Sequence, residues 1–352
     1  MKTGRERKAW LDYVRFFSIF LVIVFHTPPR LPLFDDAVIL NLRVPVFFCI
    51  SGFLYSAGRF KGFGHYVAHR SRQILVPYTT FFIVFYALWL LVGRKMVGPE
   101  EQAIDTCRPL FEFIIGDPQV VLAPFWYIAC LFTMQMIYYW IERLVPHKWV
   151  MVVCLVLACL VYFAPWQWTV DACGETYRVM RFWNLGNALL FMPFYALGNN
   201  CKGWLERLEF KTPSRTTLLV GLALASMALM VWAAPLEQWD GTIYRLVRIV
   251  AGMMVIPAYM CVAKWLAGRY GHRRVIEFVV VSGTVYLGLQ NYFINVGRMI
   301  LEKLTHAGIM DEQIWLKFAL ALVVMAAIYP FAWLIDRYLP WFLGKRQSHL
   351  KH

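Results

Sequence analysis

Residues 9–27 read AWLDYVRFFSIFLVIVFHT. The run is close to the roughly 20 residues that an apolar helix needs to cross a hydrocarbon core. Yet it holds Asp12 and Arg15 near its start and His26 near its end. An ionisable side chain in hydrocarbon costs at least about 2.5–3.5 kcal/mol on insertion scales, so each needs a structural or functional reason. Arg15 and His26 are eleven residues apart. At 3.6 residues per turn that is three turns plus about 20°, which puts both on one helix face about 16 Å apart along the axis. Asp12 lies one turn before Arg15, within pairing reach. The stripe Asp12, Arg15, Ile19, Val22, His26 is therefore predicted to face the interior of a helix bundle. Two plainer readings compete: Arg15 snorkelling to headgroups, and His26 as an interfacial side chain ahead of Pro28 and Pro29. The shared face weighs against both.

The rest of the composition agrees with a membrane chain. Of 352 residues, 60% are hydrophobic and 17% aromatic, above the roughly 45–50% apolar content of a soluble domain. The mean hydropathy is +0.54. Ten apolar runs stand out, near 9–27, 44–58, 74–93, 124–141, 149–166, 183–200, 216–234, 246–266, 275–297 and 314–335, the second being short. The first has no small-residue cleavage site and reads as a span rather than a leader. No long polar segment divides the runs. The expected fold is all-α: a polytopic transmembrane bundle of about ten spans forming one domain over residues 1–352.

The net charge of +14 fits a nucleic-acid or membrane-surface binder as well as a span-rich protein. Its placement decides. With the N-terminus inside, 22 of the 35 Lys and Arg fall on the inner side, as cytoplasmic loops require. Both termini are thus expected in the cytoplasm, and no nucleic-acid partner is needed. The eight cysteines form no CxxC or zinc-ligand spacing, so no metal is expected. Cys107 and Cys173 fall in polar loops on the outer side and either bond to each other or stay free thiols.

Several other segments carry polar candidates. In RVPVFFCISGFLY (43–55), Ser51 and Gly52 permit close approach of a ligand or, equally, of a neighbouring helix. In HRSRQILVPY (69–78), Arg70 and Arg72 sit at the inner mouth of the third run, suited to phosphate or simply to the inner charge bias. Trp126 and Tyr127 open the fourth run from outside, as an aromatic belt or a sugar platform. Arg245 and Arg248 lie at the outer end of the eighth run, against the charge rule, and point to an anionic group or an acidic loop. The outer connections 94–123 and 167–182 are natural lids for an outward site, or only links.

Together these residues resemble the acyltransferase-3 family of integral membrane O-acyltransferases. The carriers are Asp12 and Arg15 with His26; Arg43 with PVFFCISGF; Arg70-Ser-Arg72 leading to Pro77; FWYI at 125–128; and FMPFYALG at 191–198. One departure is visible in SGTVYLGLQN (282–291), where Gln290 stands near the place of a family histidine. The resemblance implies transfer of an acyl group, most often acetyl, from cytoplasmic acyl-CoA to a hydroxyl of a cell-envelope carbohydrate at a bacterial inner membrane. No bound cofactor is expected beyond that co-substrate. His26 would act as base or acyl carrier with Arg15 and Asp12. Arg70, Arg72 and Arg43 would hold acyl-CoA. Trp126, Tyr127, Ser51, Tyr286, Gln290, Arg245 and Arg248 would meet the acceptor. The alternative is a multi-span transporter using Arg15 and His26 as an intramembrane substrate or proton site; a scaffold without catalysis would tolerate loss of His26.

Overall fold

A computed structural model describes residues 8–31, 34–94, 103–163, 168–209, 212–235 and 241–344. Of the basic residues counted above, Lys2, Arg5, Arg7, Lys95, Lys211, Lys345, Arg346 and Lys351 lie outside them, as do residues 164–166 of the fifth run. The main helices are α1 (Ala9–His26), α2 (Val44–Phe53), α3 (Phe63–Leu88), α4 (Cys107–Ile114), α5 (Trp126–Leu144), α6 (His147–Phe163), α7 (Leu185–Asn200), α8 (Pro213–Ala233), α9 (Gly241–Tyr270), α10 (Arg274–Val281), α11 (Gly283–Leu304) and α12 (Trp315–Tyr338). Short helical turns join them, and β1 (Thr169–Ala172) pairs with β2 (Glu175–Arg178) in an antiparallel hairpin.

Six helical segments are long and apolar enough to cross a membrane: Ala9–His26, Phe63–Gly93, Gln119–Leu144, Pro213–Ala233, Ile243–Tyr270 and Trp315–Tyr338. They correspond to the first, third, fourth, seventh, eighth and tenth apolar runs. The second and fifth runs form the shorter apolar helices Leu40–Phe53 and His147–Val161. Large apolar side chains point outward along these helices, among them Leu91 at 67% exposed and Leu218 at 61%. Such faces suit lipid, where the backbone is satisfied within each helix. α3 begins well before its apolar run, because residues 63–73 continue the helix beyond the hydrophobic stretch. The run 275–297 is broken at Ser282 into α10 and α11. A Ser-Gly pair is a common site of such a break.

The chain separates into two compact units, each discontinuous in sequence. The first comprises residues 1–54 and 194–332. In it α1 packs against α9, α10, α11 and α2, and α8 pairs with α9. The α1–α9 contact is fastened by polar groups. The Ser18 hydroxyl donates to the Leu42 carbonyl at 2.9 Å and lies 3.2 Å from the Tyr259 hydroxyl. Tyr259 also donates to the Val14 carbonyl at 3.3 Å.

α2 crosses the 194–200 part of α7 with backbone against backbone. A Cβ added at Gly52 would lie 1.9 Å from the Tyr195 carbonyl oxygen, and one at Gly198 would lie 1.9 Å from that of Cys49. Gly52 thus serves helix packing as the contact point. Gly198→Val has no way to relieve a clash with backbone. We expect a stability loss at or above the top of the roughly 1–3 kcal/mol seen for overpacking, with Gly198→Ala milder, read as midpoints of unfolding in detergent. An unchanged Gly198→Val protein would contradict the crossing.

The second unit comprises residues 55–193 and 333–352. Its core is aromatic: Tyr78 stacks on Phe113 at 5.0 Å between centroids, and Phe81 meets Phe342 at 4.7 Å. The turn Pro340–Leu343 lies on α3, where Thr80 donates to the Phe342 carbonyl at 2.7 Å. Gly344 ends that turn at φ +66°, and a Cβ there would lie within 2.4 Å of the Arg72 carbonyl oxygen. At another edge of the unit, α4 and the hairpin form a stitched cap. A disulfide joins Cys107 to Cys173. Arg108 bridges Glu112 and Glu175, and Arg181 pairs with Asp117. Burial works against the Arg108 charge, but the hydrogen bond and charge of Glu112, with Glu175, outweigh it and hold its pKa above the usual value. Of the two open outcomes for these cysteines, the bonded one is present.

Candidate functional site

The stripe on α1 is where the helical arithmetic puts it. Asp12, Ile19 and Val22 are 4%, 8% and 8% exposed, and Arg15 is half-buried. His26 lies on this same inward face and is nevertheless exposed. It makes no hydrogen bond or ion pair among the described residues; its one ring contact is an edge-on approach to Phe25 at 5.4 Å. His26 is thus reachable at the end of the stripe.

A second polar stripe runs along α11. Ser282, Tyr286 and Gln290 recur every four residues and are 0%, 1% and 1% exposed. Ser282 Oγ, Tyr286 Oη and Gln290 Nε2 are all buried without a hydrogen-bond partner. Each such atom costs about 1–3 kcal/mol. Two contacts show how this stripe lies against α1. Tyr13 donates to the Gly271 carbonyl at 3.1 Å, and a Cβ on Gly283 would meet Ile19 Cδ1 at 3.5 Å. The α10–α11 segment therefore advances along α1 in the same direction. From Ile19 to His26 and from Gly283 to Gln290 is the same number of residues, about 10.5 Å of helix. Gln290 and His26 thus lie equally far along their helices from the Ile19–Gly283 contact.

The surroundings of His26 are strongly cationic. The Arg43 guanidinium sits 3.5 Å from the centroid of the Phe25 ring. Arg43 and Lys317 both act on His26 electrostatically. Arg248 and Arg30 act in turn on Arg43. Lys317 is wholly buried and pairs with the equally buried Asp35 at 2.8 Å, while donating to the Pro29 carbonyl at 2.8 Å. Asp35 Oδ2 also accepts from the Leu31 amide, and Asp36 pairs with Arg30 at 2.8 Å. The loop just after His26 is thereby pinned to α12. Sequence reading overlooked Lys317 and Asp35. A lysine inside IWLKFALAL (314–322) was the available signal, since an isolated charge in an apolar run needs a partner.

Thirteen candidate residues divide between the two units. Asp12, Arg15, His26, Arg43, Ser51, Arg245, Arg248, Tyr286 and Gln290 belong to the first; Arg70, Arg72, Trp126 and Tyr127 belong to the second. The Arg43 guanidinium lies over the Phe25 ring. Ser51 is half-buried next to the packing glycine, and Arg245 is exposed while Arg248 is half-buried. In the second unit Arg70 lies 5.4 Å over Tyr66, and Arg143, another omission, lies 3.6 Å over Tyr139. The two tyrosines stack at 5.0 Å, so an aromatic pair carries a guanidinium against each member. Arg70 also donates to Gln73 at 3.1 Å, and Arg72 is exposed. Trp126 and Tyr127 meet edge to face at 6.4 Å, and Trp126 lies 6.4 Å from Phe191.

Six helices of membrane-crossing length and composition, with a polar stripe along α1, suit a multi-pass membrane protein. The chain matches the family model described as Acyltransferase domain, of the acyltransferase-3 type, over residues 8–337. It belongs to that family and is a membrane acyltransferase. No curated protein and no solved structure matches it.

Proposed function

We propose that the protein transfers an acyl group, acetyl in the first instance, from cytoplasmic acyl-CoA to a hydroxyl of an envelope carbohydrate at the bacterial inner membrane. The observation that carries this reading is His26: accessible, without a hydrogen bond among the described residues, and at the end of the Asp12–Arg15 face of α1. His26 takes the proton of the acceptor hydroxyl as its oxygen attacks the thioester carbonyl carbon. The tetrahedral adduct collapses, the C–S bond breaks, and the proton passes from His26 to the CoA thiolate. Alternatively His26 itself accepts the acyl group and passes it on. The amide N–H of Gln290 suits the developing oxyanion. Asp12 and Arg15 sit deeper along the same face, where the donor's arm would pass. Arg70 and Arg72, with Arg143 and the tyrosine pair, suit the phosphates and adenine of CoA. Trp126 and Tyr127 suit a sugar ring.

We infer about ten spans with both termini inside. The Cys107–Cys173 disulfide supports this, because such bonds persist on the oxidising side of a membrane, where the topology puts that cap. We expect acetyl-CoA to raise the thermal midpoint of the purified protein, with desulfo-CoA and ATP as controls for phosphate binding alone. Labelled acetyl should move from acetyl-CoA to envelope glycan in vesicles from an expressing strain and not from a deletion strain. Absence of label transfer would overturn the function.

A further inference from the structure

Arg43 stands out among the cations near His26. Its Nε is buried without a partner, and no hydrogen bond or ion pair of the Arg43 side chain is present among the described residues. It rests on the Phe25 face at 3.5 Å, at the residue before His26. The two nearby carboxylates are engaged elsewhere: Asp35 with Lys317, and Asp36 with Arg30. Arg248, the largest electrostatic influence on Arg43 from another side chain, has the same sign. A half-buried guanidinium with a buried, unpartnered Nε, beside a second cation and with Asp36 and Asp35 acting on it only without direct pairing, is costly. A cation–π contact returns only about 0.5–2 kcal/mol of this. The arrangement suits an oxyanion, with a planar fork that matches carboxylate or phosphate.

We infer that Arg43, with Arg248 beside it, is an anion subsite next to His26, and that the acceptor carries a carboxylate or a phosphate close to the hydroxyl that is acylated. The inference rests on the proposed transfer reaction for the word acceptor, but the subsite itself is testable without turnover. Its function would be to orient the acceptor. The anion on Arg43 fixes the sugar so that one hydroxyl faces His26, and neutral sugars lack that anchor.

The test uses the reachability of His26. Diethyl pyrocarbonate modifies exposed, neutral imidazole, and the rate at His26 is read by peptide mass spectrometry on the full-length protein in detergent. Glucuronic acid, glucose 1-phosphate, glucose and CoA serve as probes at matched ionic strength. Glucuronic acid, glucose 1-phosphate or both should slow modification of His26, by about tenfold when the probe exceeds its Kd tenfold, and glucose should not. The protection should vanish in Arg43→Gln and persist in part in Arg43→Lys. Protection by all sugars alike, by CoA alone, or by none overturns the inference, and so does full protection in Arg43→Gln. Comparison of charged with neutral probes on the unaltered protein needs no variant to fold. Failure of label transfer alone would sink the proposed function and leave the subsite standing; loss of protection alone would do the reverse.

Discussion

His26→Ala is expected to lower acyl transfer by about 10²–10⁴-fold, the usual contribution of a positioned acid–base group, while leaving the thermal midpoint nearly unchanged. The second half of this expectation follows from the structure. His26 is exposed and has no hydrogen bond or ion pair among the described residues, so its removal leaves no buried group unsatisfied and opens no cavity. His26→Gln keeps hydrogen-bonding capacity but cannot hold a proton at neutral pH, and it should fall as far as alanine. Transfer assays in membranes with matched expression decide the point. Activity within about threefold of the unaltered protein in either variant removes the histidine from the reaction. Incubation with labelled acetyl-CoA and no acceptor then separates the two chemical routes: a hydroxylamine-sensitive acetyl group on His26 identifies an acyl carrier, and none identifies a base.

Lys317→Met is expected to be the most destabilising single change near the site. Both members of the Lys317–Asp35 pair are 0% exposed. Loss of the lysine leaves a buried carboxylate whose Oδ1 already lacks a partner and whose Oδ2 keeps only the Leu31 amide. Breaking one partner of such a pair costs about 3–5 kcal/mol, whereas replacing both with uncharged groups is often close to neutral. Lys317→Met with Asp35→Asn should therefore recover much of what Lys317→Met alone loses, a coupling that a double-mutant cycle reads directly. Activity should follow a different course. The pair anchors the Pro29–Asp35 loop behind His26, so the double variant is expected to be stable yet impaired in transfer. Equal stability of the single and double variants would show that the pair is not coupled.

Much of this was legible in the primary structure, for reasons that differ by feature. Helices such as 213–233 and 315–338 declare themselves through long apolar runs, since no other arrangement satisfies the backbone in lipid. The Asp12-to-His26 face needed only the helical period, which depends on local geometry. The link between Lys317 and Asp35 spans 282 residues and depends on how helices distant in sequence come together. The same holds for the packing of Arg43 against Phe25, which depends on how α1 and the start of α2 come together. The break at Ser282 was hidden because hydropathy averages over it: VVVSGTVYL is apolar on both sides of the interruption. The Cys107–Cys173 bond was open because spacing alone permits it without requiring it.

The crossing of α2 with α7 bears on how the family likeness itself should be weighed. PVFFCISGF and FMPFYALG are far apart in the chain, and each ends near a glycine that presses on the backbone of the other helix. They are two faces of one contact. If a chain of this type gained a side chain at the position of Gly52, the helices would part, and the position of Gly198 would lose its reason to stay bare. The two segments are thus expected to drift together or not at all, and in judging relationship they carry the weight of a single character.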